Sequence, residues 1–201
     1  KIERKYEQLS EIYENMLKSK KTEALGFRGL MEINLKNQDY HHAFLYGEKL
    51  FNLNPFTEKL YETLINIVAK TKNWNQLILI SDKAYSKKII DRETFNENKS
   101  IGFYEIAKIK FDHQIKESIV NITKALNLKK NFPPFIKLHL EAIAQSNNIS
   151  LLKKLIKKYW SVSPNSLLRS IVTQIIIDNK IDDINFINNV IKKNSEYTES
   201  K

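Results

Sequence analysis

The stretch TEALGFRGLMEINLK (22–36) places Phe27, Leu30 and Leu35 on one stripe at helical spacing. The polar residues NQD (37–39) interrupt it. YHHAFLYGEKLFNL (40–53) then lays out a second stripe of Tyr40, Ala43, Leu50 and Leu53. Asn54-Pro55 closes the pair, because proline cannot continue a helix and restrains the residue before it. The pattern predicts two helices joined by a short polar turn.

Shifted by 34 residues, the skeleton returns: Phe27 maps to Tyr61, Leu30 to Leu64, Tyr40 to Trp74, Ala43 to Leu77, Gly47 to Ser81 and Leu50 to Ala84. Each pair is apolar or small. The step from Ala84 to Ala125 is 41 residues, one period plus seven, and Ala125 to Tyr159 is 34 again. Pro55 to Pro164 is 109, three periods plus the same seven. The extra residues are therefore expected in SKKIIDRETFNEN (86–98), as a connector between units. Backwards, Tyr40 maps to Tyr6, Ala43 to Leu9, Gly47 to Tyr13 and Leu50 to Met16, so 2–19 reads as the second helix of a unit whose first helix is missing.

Helix–turn–helix units of 34 residues are the tetratricopeptide (TPR) pattern. The predicted fold is all-α, a right-handed superhelical solenoid of TPR-like repeats with about eleven helices, forming a single domain over 1–201. Its repeats are 22–55, 56–89, 97–130 (helices near 97–112 and 114–129) and 133–164 (133–147 and 149–160). Residues 165–194 give two helices, 165–178 and 181–193, in poor phase, read as a degenerate capping pair, and the polar tail SEYTESK is expected to fray. Small residues at Ala43, Gly47 and Ala84 would let helices approach, with Phe27, Tyr61, Tyr40 and Trp74 filling the space beside them.

Composition narrows the functional classes. With 42% hydrophobic and 28% charged residues and a mean hydropathy of −0.44, the chain can bury a core and keep a solvated surface. Four glycines and four prolines argue against an all-β fold. The net charge of +10 comes with an excess of Lys, Ile and Asn that reads as the composition of an AT-rich genome, although a basic face can in principle meet nucleic acid or anionic lipid. The absence of cysteine excludes disulfides and thiolate chemistry. No apolar run reaches the roughly 18 residues a membrane span needs. The sequence starts at Lys1 without a signal-peptide pattern, and is read as a fragment of a longer protein.

Candidate chemistry is thin. Two of the four histidines, His41 and His42, are adjacent at the start of a helix, so their side chains point about 100° apart and do not converge on one metal. His113 and His139 fall in other units. There is no H-E-x-x-H, glycine-rich phosphate loop or G-x-S-x-G. The expectation is no catalytic, cofactor-binding or metal-binding residue, and no enzyme. Asp182-Asp183 reads as a charge pair at a helix N-terminus. Trp74, which repeats Tyr40, and Trp160, beside Tyr159, read as packing.

The segments TEALGFRGLMEINLKNQDYHHAF, YGEKLFNLNP, NWNQLILISDKA and IIDRETF together resemble the TPR region of the HemY family of proteobacterial inner-membrane proteins, over about residues 1–165. The most specific part is the T-E-x-L-G-x-R-G-L block, because a generic TPR does not demand Arg28-Gly29. Asp91-Arg92 and the tryptophan after a polar turn support it. The chain departs from the family's usual Gly-Asp turn at Asn37-Gln38-Asp39 and Thr71-Lys72-Asn73. The resemblance implies anchoring in the bacterial inner membrane by an N-terminal segment not present here, a repeat domain facing the cytoplasm, and a link to the late steps of haem (tetrapyrrole) biosynthesis. It implies no catalytic set.

The function expected is a non-catalytic protein–protein interaction scaffold with a protein or peptide partner. In TPR geometry the first helix of each unit lines a concave face. Repeat phase assigns to that face Arg28, Glu32 and Lys36, then Lys59, Glu62, Asn66 and Lys70, then Phe103, Ala107 and Lys110, then Lys137 and Glu141. The bland alternative for each is a solvated helix surface. Two other classes are a helical-repeat nucleic-acid binder and a tetrapyrrole-binding accessory protein. Nucleic acid is not expected, because base-reading repeats need paired specificity residues at fixed positions and none recur.

Overall fold

The computed structural model describes residues 2–53, 57–162, 166–183 and 185–188, the side chains of 2–5 excepted. Its helices are α1 (Ile2–Met16), α2 (Glu23–Lys36), α3 (Tyr40–Leu53), α4 (Glu58–Thr71), α5 (Trp74–Ser86), α6 (Arg92–Lys110), α7 (Ile115–Leu128), α8 (Pro133–Gln145), α9 (Ile149–Val162) and α10 (Ser166–Asp178). One helical turn follows at 185–188. Among the described residues there is no strand. The fold is all-α and built from TPR-like helical hairpins.

Local chemistry fixes where these helices begin. Asp39, Thr57, Asp91, Asn148 and Asp183 each accept the backbone N–H three residues on, at 3.1, 3.2, 2.7, 3.0 and 3.0 Å. These bonds satisfy first-turn donors that have no partner within the helix. Pro133 and Pro134 open α8, where a missing N–H costs nothing.

The ends are equally specified. Gln38, Lys72, Lys88, Asn147 and Lys180 follow α2, α4, α5, α8 and α10 with φ between 48° and 59°. After α5, Lys88 N–H bonds Tyr85 C=O at 3.0 Å and Ile89 N–H bonds Ala84 C=O at 2.9 Å, the Schellman closure. Gln38 and Asp39 repeat it on Leu35 and Asn34, as Lys180 and Ile181 do on Ile177 and Ile176.

The 34-residue register appears in the packing. Leu30 and Leu64, Ala43 and Leu77, Gly47 and Ser81, Leu50 and Ala84 are all buried. Where Phe27 becomes Tyr61 a hydroxyl is added, and where Gly47 becomes Ser81 another is added. The two meet at 3.3 Å. Ser81 donates to Leu77 C=O at 2.7 Å, so Tyr61 donates to Ser81 and in turn accepts from Asn98 Nδ2 at 2.7 Å. The extra buried polar groups thus arrive with their partners, as burial requires. A Cβ at Gly29 would lie 2.4 Å from the Tyr13 ring, so the close approach of α1 and α2 needs glycine there.

The chain divides into two compact units, 1–98 and 99–201. The first has a core around Leu50, Phe51, Leu64, Ile67 and Ile80; the second has one around Ile122, Phe135, Leu140, Ile156 and Leu168.

Several expectations need correction. The connector is short: α6 begins at Arg92, capped by Asp91, and is 19 residues long against 14 for α2 and α4. The inserted residues mostly lengthen a first helix rather than a loop. Leu53 is 38% exposed and Ala107 is fully buried, so the first leaves the predicted stripe and the second leaves the predicted groove. Ala107 is held there by Ser118, whose hydroxyl donates to its carbonyl at 2.8 Å. Asn54-Pro55, Pro164, residues 184 and 189–193 of the helix predicted at 181–193, and the SEYTESK tail lie outside the described residues; of the rest of that helix, 185–188 are helical and 181–183 are not.

Candidate functional site

The predicted lining residues separate into three groups. In the first unit, Arg28, Glu32 and Lys59 come together around a cleft of about 340 Å³. From α2, Arg28, Met31, Glu32 and Leu35 fall on one face at i, i+3, i+4 and i+7; α4 supplies Lys59, Leu60 and Thr63, and Leu50 of α3 lies at the floor. Met31, Leu50 and Leu60 are buried, while Arg28, Glu32 and Lys59 are exposed. The result is an apolar floor with a charged rim. Within the T-E-x-L-G-x-R-G-L block, packing on α1 accounts for Gly29 but not for exposed Arg28, which lines the cleft.

In the second unit, Lys137 and Glu141 line a cleft of about 380 Å³ between α8 and α10, with Tyr104 of α6 beside them. Burial raises the Glu141 carboxyl above its ordinary value; Lys137 opposes this and Asp178 adds to it. Burial likewise raises the Tyr104 hydroxyl.

The third group is occupied structurally or lies apart from these clefts. Lys36 sits 6.0 Å from the Tyr6 ring, and Lys70 sits 4.7 Å from the Tyr40 ring while donating to its hydroxyl at 3.1 Å. Both partners of the second pair lie 34 residues beyond those of the first, so this lysine–tyrosine contact is part of the repeat. Phe103 is half-buried against the core with Lys99 and Lys124 over its ring at 5.9 and 5.3 Å. Lys110 pairs with Glu117 at 2.9 Å and bonds Gln114. Glu62 and Asn66 are exposed on α4 and line neither cleft.

The histidine doublet is a surface feature. His42 is bonded through Nδ1 to Asp39 at 2.7 Å, and its ring meets His41 edge-on at 5.5 Å. The backbone N–H and ring of His42 lower the Asp39 carboxyl below its ordinary value. Among the described residues no three His, Cys, Asp or Glu side chains are grouped to hold a metal. Asp183 is a cap, as its position in the sequence suggested, and it also pairs with Lys153 at 2.9 Å; the Lys153 ammonium first, and the Phe186 N–H after it, lower its carboxyl below the ordinary value.

Sequence reasoning missed two features. His139 is buried, and its Nδ1 lies 2.6 Å from the Tyr159 hydroxyl. Burial, with Lys158 nearby, lowers the imidazole to about 4, and burial raises the phenol to about 12. The other omission is the wall of the second cleft on α10, where Leu167, Ile171, Gln174 and Asp178 follow helical spacing that could have been read beside Pro134, Lys137 and Glu141.

Comparison with protein families and with curated proteins finds no match. Among solved structures, the chain is similar to the MamA protein at 10% identity, covering 88% of this chain and 94% of that one, with a TM-score of 0.45. It is similar to YrrB, described as a TPR protein with an unusual peptide-binding site, at 13% identity over 85% and 84% of the two chains, TM-score 0.40. The TPR2AB domain of yeast Sti1, in complex with pHSP90, matches at 13% identity over 89% and 80%, TM-score 0.37. The chain's own repeat register and hairpin packing place it in the class of TPR-like helical-repeat proteins. Among the described residues no helix is long and apolar enough to cross a membrane.

Proposed function

We propose that this chain is a non-catalytic scaffold that captures a protein or peptide segment along the exposed faces of its first helices. The observation that carries this reading is the first-unit cleft: a floor of Met31, Leu50 and Leu60 beneath Arg28, Glu32 and Lys59, none of the three required by the core. Buried apolar floors supply affinity and charged rims supply selection. The peptide-binding site named for YrrB and the pHSP90 complex of Sti1 belong to those proteins; here they are consistent with the same mode of use.

The finer reading follows the resemblance of 22–55 and the later segments to the HemY TPR region. In it the chain is one repeat domain over 1–201, closed by 165–194, carried at the cytoplasmic face of a bacterial inner membrane and serving tetrapyrrole biosynthesis. Arg28 supports it, as the residue of the specific block that packing leaves unexplained.

Charge reversal tests the site. Arg28→Glu with Lys59→Glu should abolish capture of partners from a bacterial membrane extract and leave the melting temperature unchanged, since both residues are exposed. Leu45→Lys with Leu79→Lys, at exposed second-helix positions, should leave capture intact. The opposite pattern would place the site on the second helices.

A further inference from the structure

The second-unit cleft has the opposite rim from the first. Lys137 and Glu141 of α8 lie one turn apart, and Leu167, Ile171 and Asp178 of α10 share one face across from them. Two carboxylates therefore oppose one ammonium, in a chain whose net charge is +10.

The compensation within the cleft is incomplete. Lys137 Nζ stands 3.8 Å from Glu141, beyond hydrogen-bond length, and its side chain is 60% exposed. Asp178 accepts from the neutral Gln174 amide at 2.7 Å. Glu141 is partly desolvated, and Asp178 repels its charge further. A guanidinium or ammonium between the two carboxylates would meet both and would gain more there than in open solvent. Its alkyl stem would run along Ile175 and Ile171, which line the same wall nearer to Asp178.

We propose that this cleft is a docking site for a partner peptide that inserts a Lys or Arg side chain between Glu141 and Asp178 and lays a neighbouring aliphatic or aromatic residue on Leu167 and Ile171. This rests on the reading of the chain as a peptide-capturing scaffold and names the chemistry of the segment that the second unit takes. The volume of about 380 Å³ suits one long side chain and its neighbour rather than a folded domain.

The test is selection from a library of random eight-residue peptides on the purified chain. The expected outcome is enrichment of Lys or Arg beside an aliphatic or aromatic residue. Glu141→Gln with Asp178→Asn should remove the cation from the consensus and weaken a synthesised winner at least tenfold. Leu167→Ser should remove the apolar preference and keep the cation. All three positions are exposed or half-buried, so the melting temperature serves as the folding control. The inference is overturned by a consensus without a cation, or by a cation preference that survives the double substitution. Self-association of the chain that the double substitution abolishes would also overturn it, since the occupant would then be a second copy. If peptides are enriched but only Arg28→Glu with Lys59→Glu removes them, the scaffold reading stands and this one fails. If no peptide is enriched, both fail.

Discussion

At the residue scale, the chain closes its helices with side chains where glycine would be the unstrained choice. Gln38 and Lys72, 34 residues apart, have φ of 59° and 54°, a region that L side chains enter at a steric cost. The departure of these turns from a Gly-Asp pattern was visible in the sequence; the conformation that makes it matter was not. Replacing each by glycine relieves the strain but adds freedom to the unfolded chain, and at positive φ the first effect wins. Gln38→Gly and Lys72→Gly should each stabilise by about 0.5–1 kcal/mol in urea unfolding. No gain from either would show that the flanking closures hold these residues without strain. The same scale shows where pattern reading fails. Leu53 continues the apolar stripe in sequence yet is exposed as the last residue of α3; Ala107 looks like lining yet is the residue that lets Ser118 approach.

At the element scale, the hairpins were legible because small and large residues alternate in register, and α2 and α3 match the predicted limits to within a residue. The insertion falls within 86–98 as read, but it is helix rather than connector, because an N-cap at Asp91 followed by Glu93 and Thr94 outweighs the polar look of the segment. His139 was invisible as a core group, since a lone histidine at helical spacing looks like a surface residue until α9 brings Tyr159 to it. That pair, linking α8 to α9, makes the second unit sensitive to acid. Above pH 6.5 the imidazole is neutral both folded and unfolded, and contributes no proton linkage. Between pH 6.5 and about 4 the unfolded chain takes up a proton that the folded chain refuses, so stability falls with falling pH. The shift corresponds to roughly 3 kcal/mol when fully developed. Tyr159 acts at the other end: its contribution is present below pH 10 and is lost as pH rises toward about 12. Urea unfolding at pH 7 and pH 4.5 should show a smaller acid loss for His139→Gln than for the parent chain. Equal losses would mean that the exposed carboxylates carry all of the acid sensitivity.

At the scale of the whole molecule, the question is what a chain of net charge +10 attracts. A uniform basic face would favour polyanions, and single-stranded RNA would bind with a salt slope of about −0.7 per phosphate neutralised. The arrangement of the charges argues otherwise. Lys83, Lys108, Lys110 and Lys153 lie within 3.4, 3.1, 2.9 and 2.9 Å of Glu48, Glu105, Glu117 and Asp183. Each pair is worth little in stability, yet it leaves less local positive potential for a phosphate. At equivalent repeat positions Arg28 is followed by Glu62 and Glu32 by Asn66, so no track of like charge recurs from one first helix to the next. Lys36 and Lys70 do recur, but they lie over Tyr6 and Tyr40. Binding of a fluorescein-labelled oligouridylate, followed by anisotropy between 50 and 200 mM KCl, should therefore be weak, with a log–log salt slope shallower than about −2. It should also be insensitive to replacing uridine by adenosine, since nothing in the repeat reads a base edge. A slope of about −4 or steeper would mean that several phosphates are held at once. The exposed lysines would then form a continuous track, and the chain would be a nucleic-acid binder rather than a peptide scaffold.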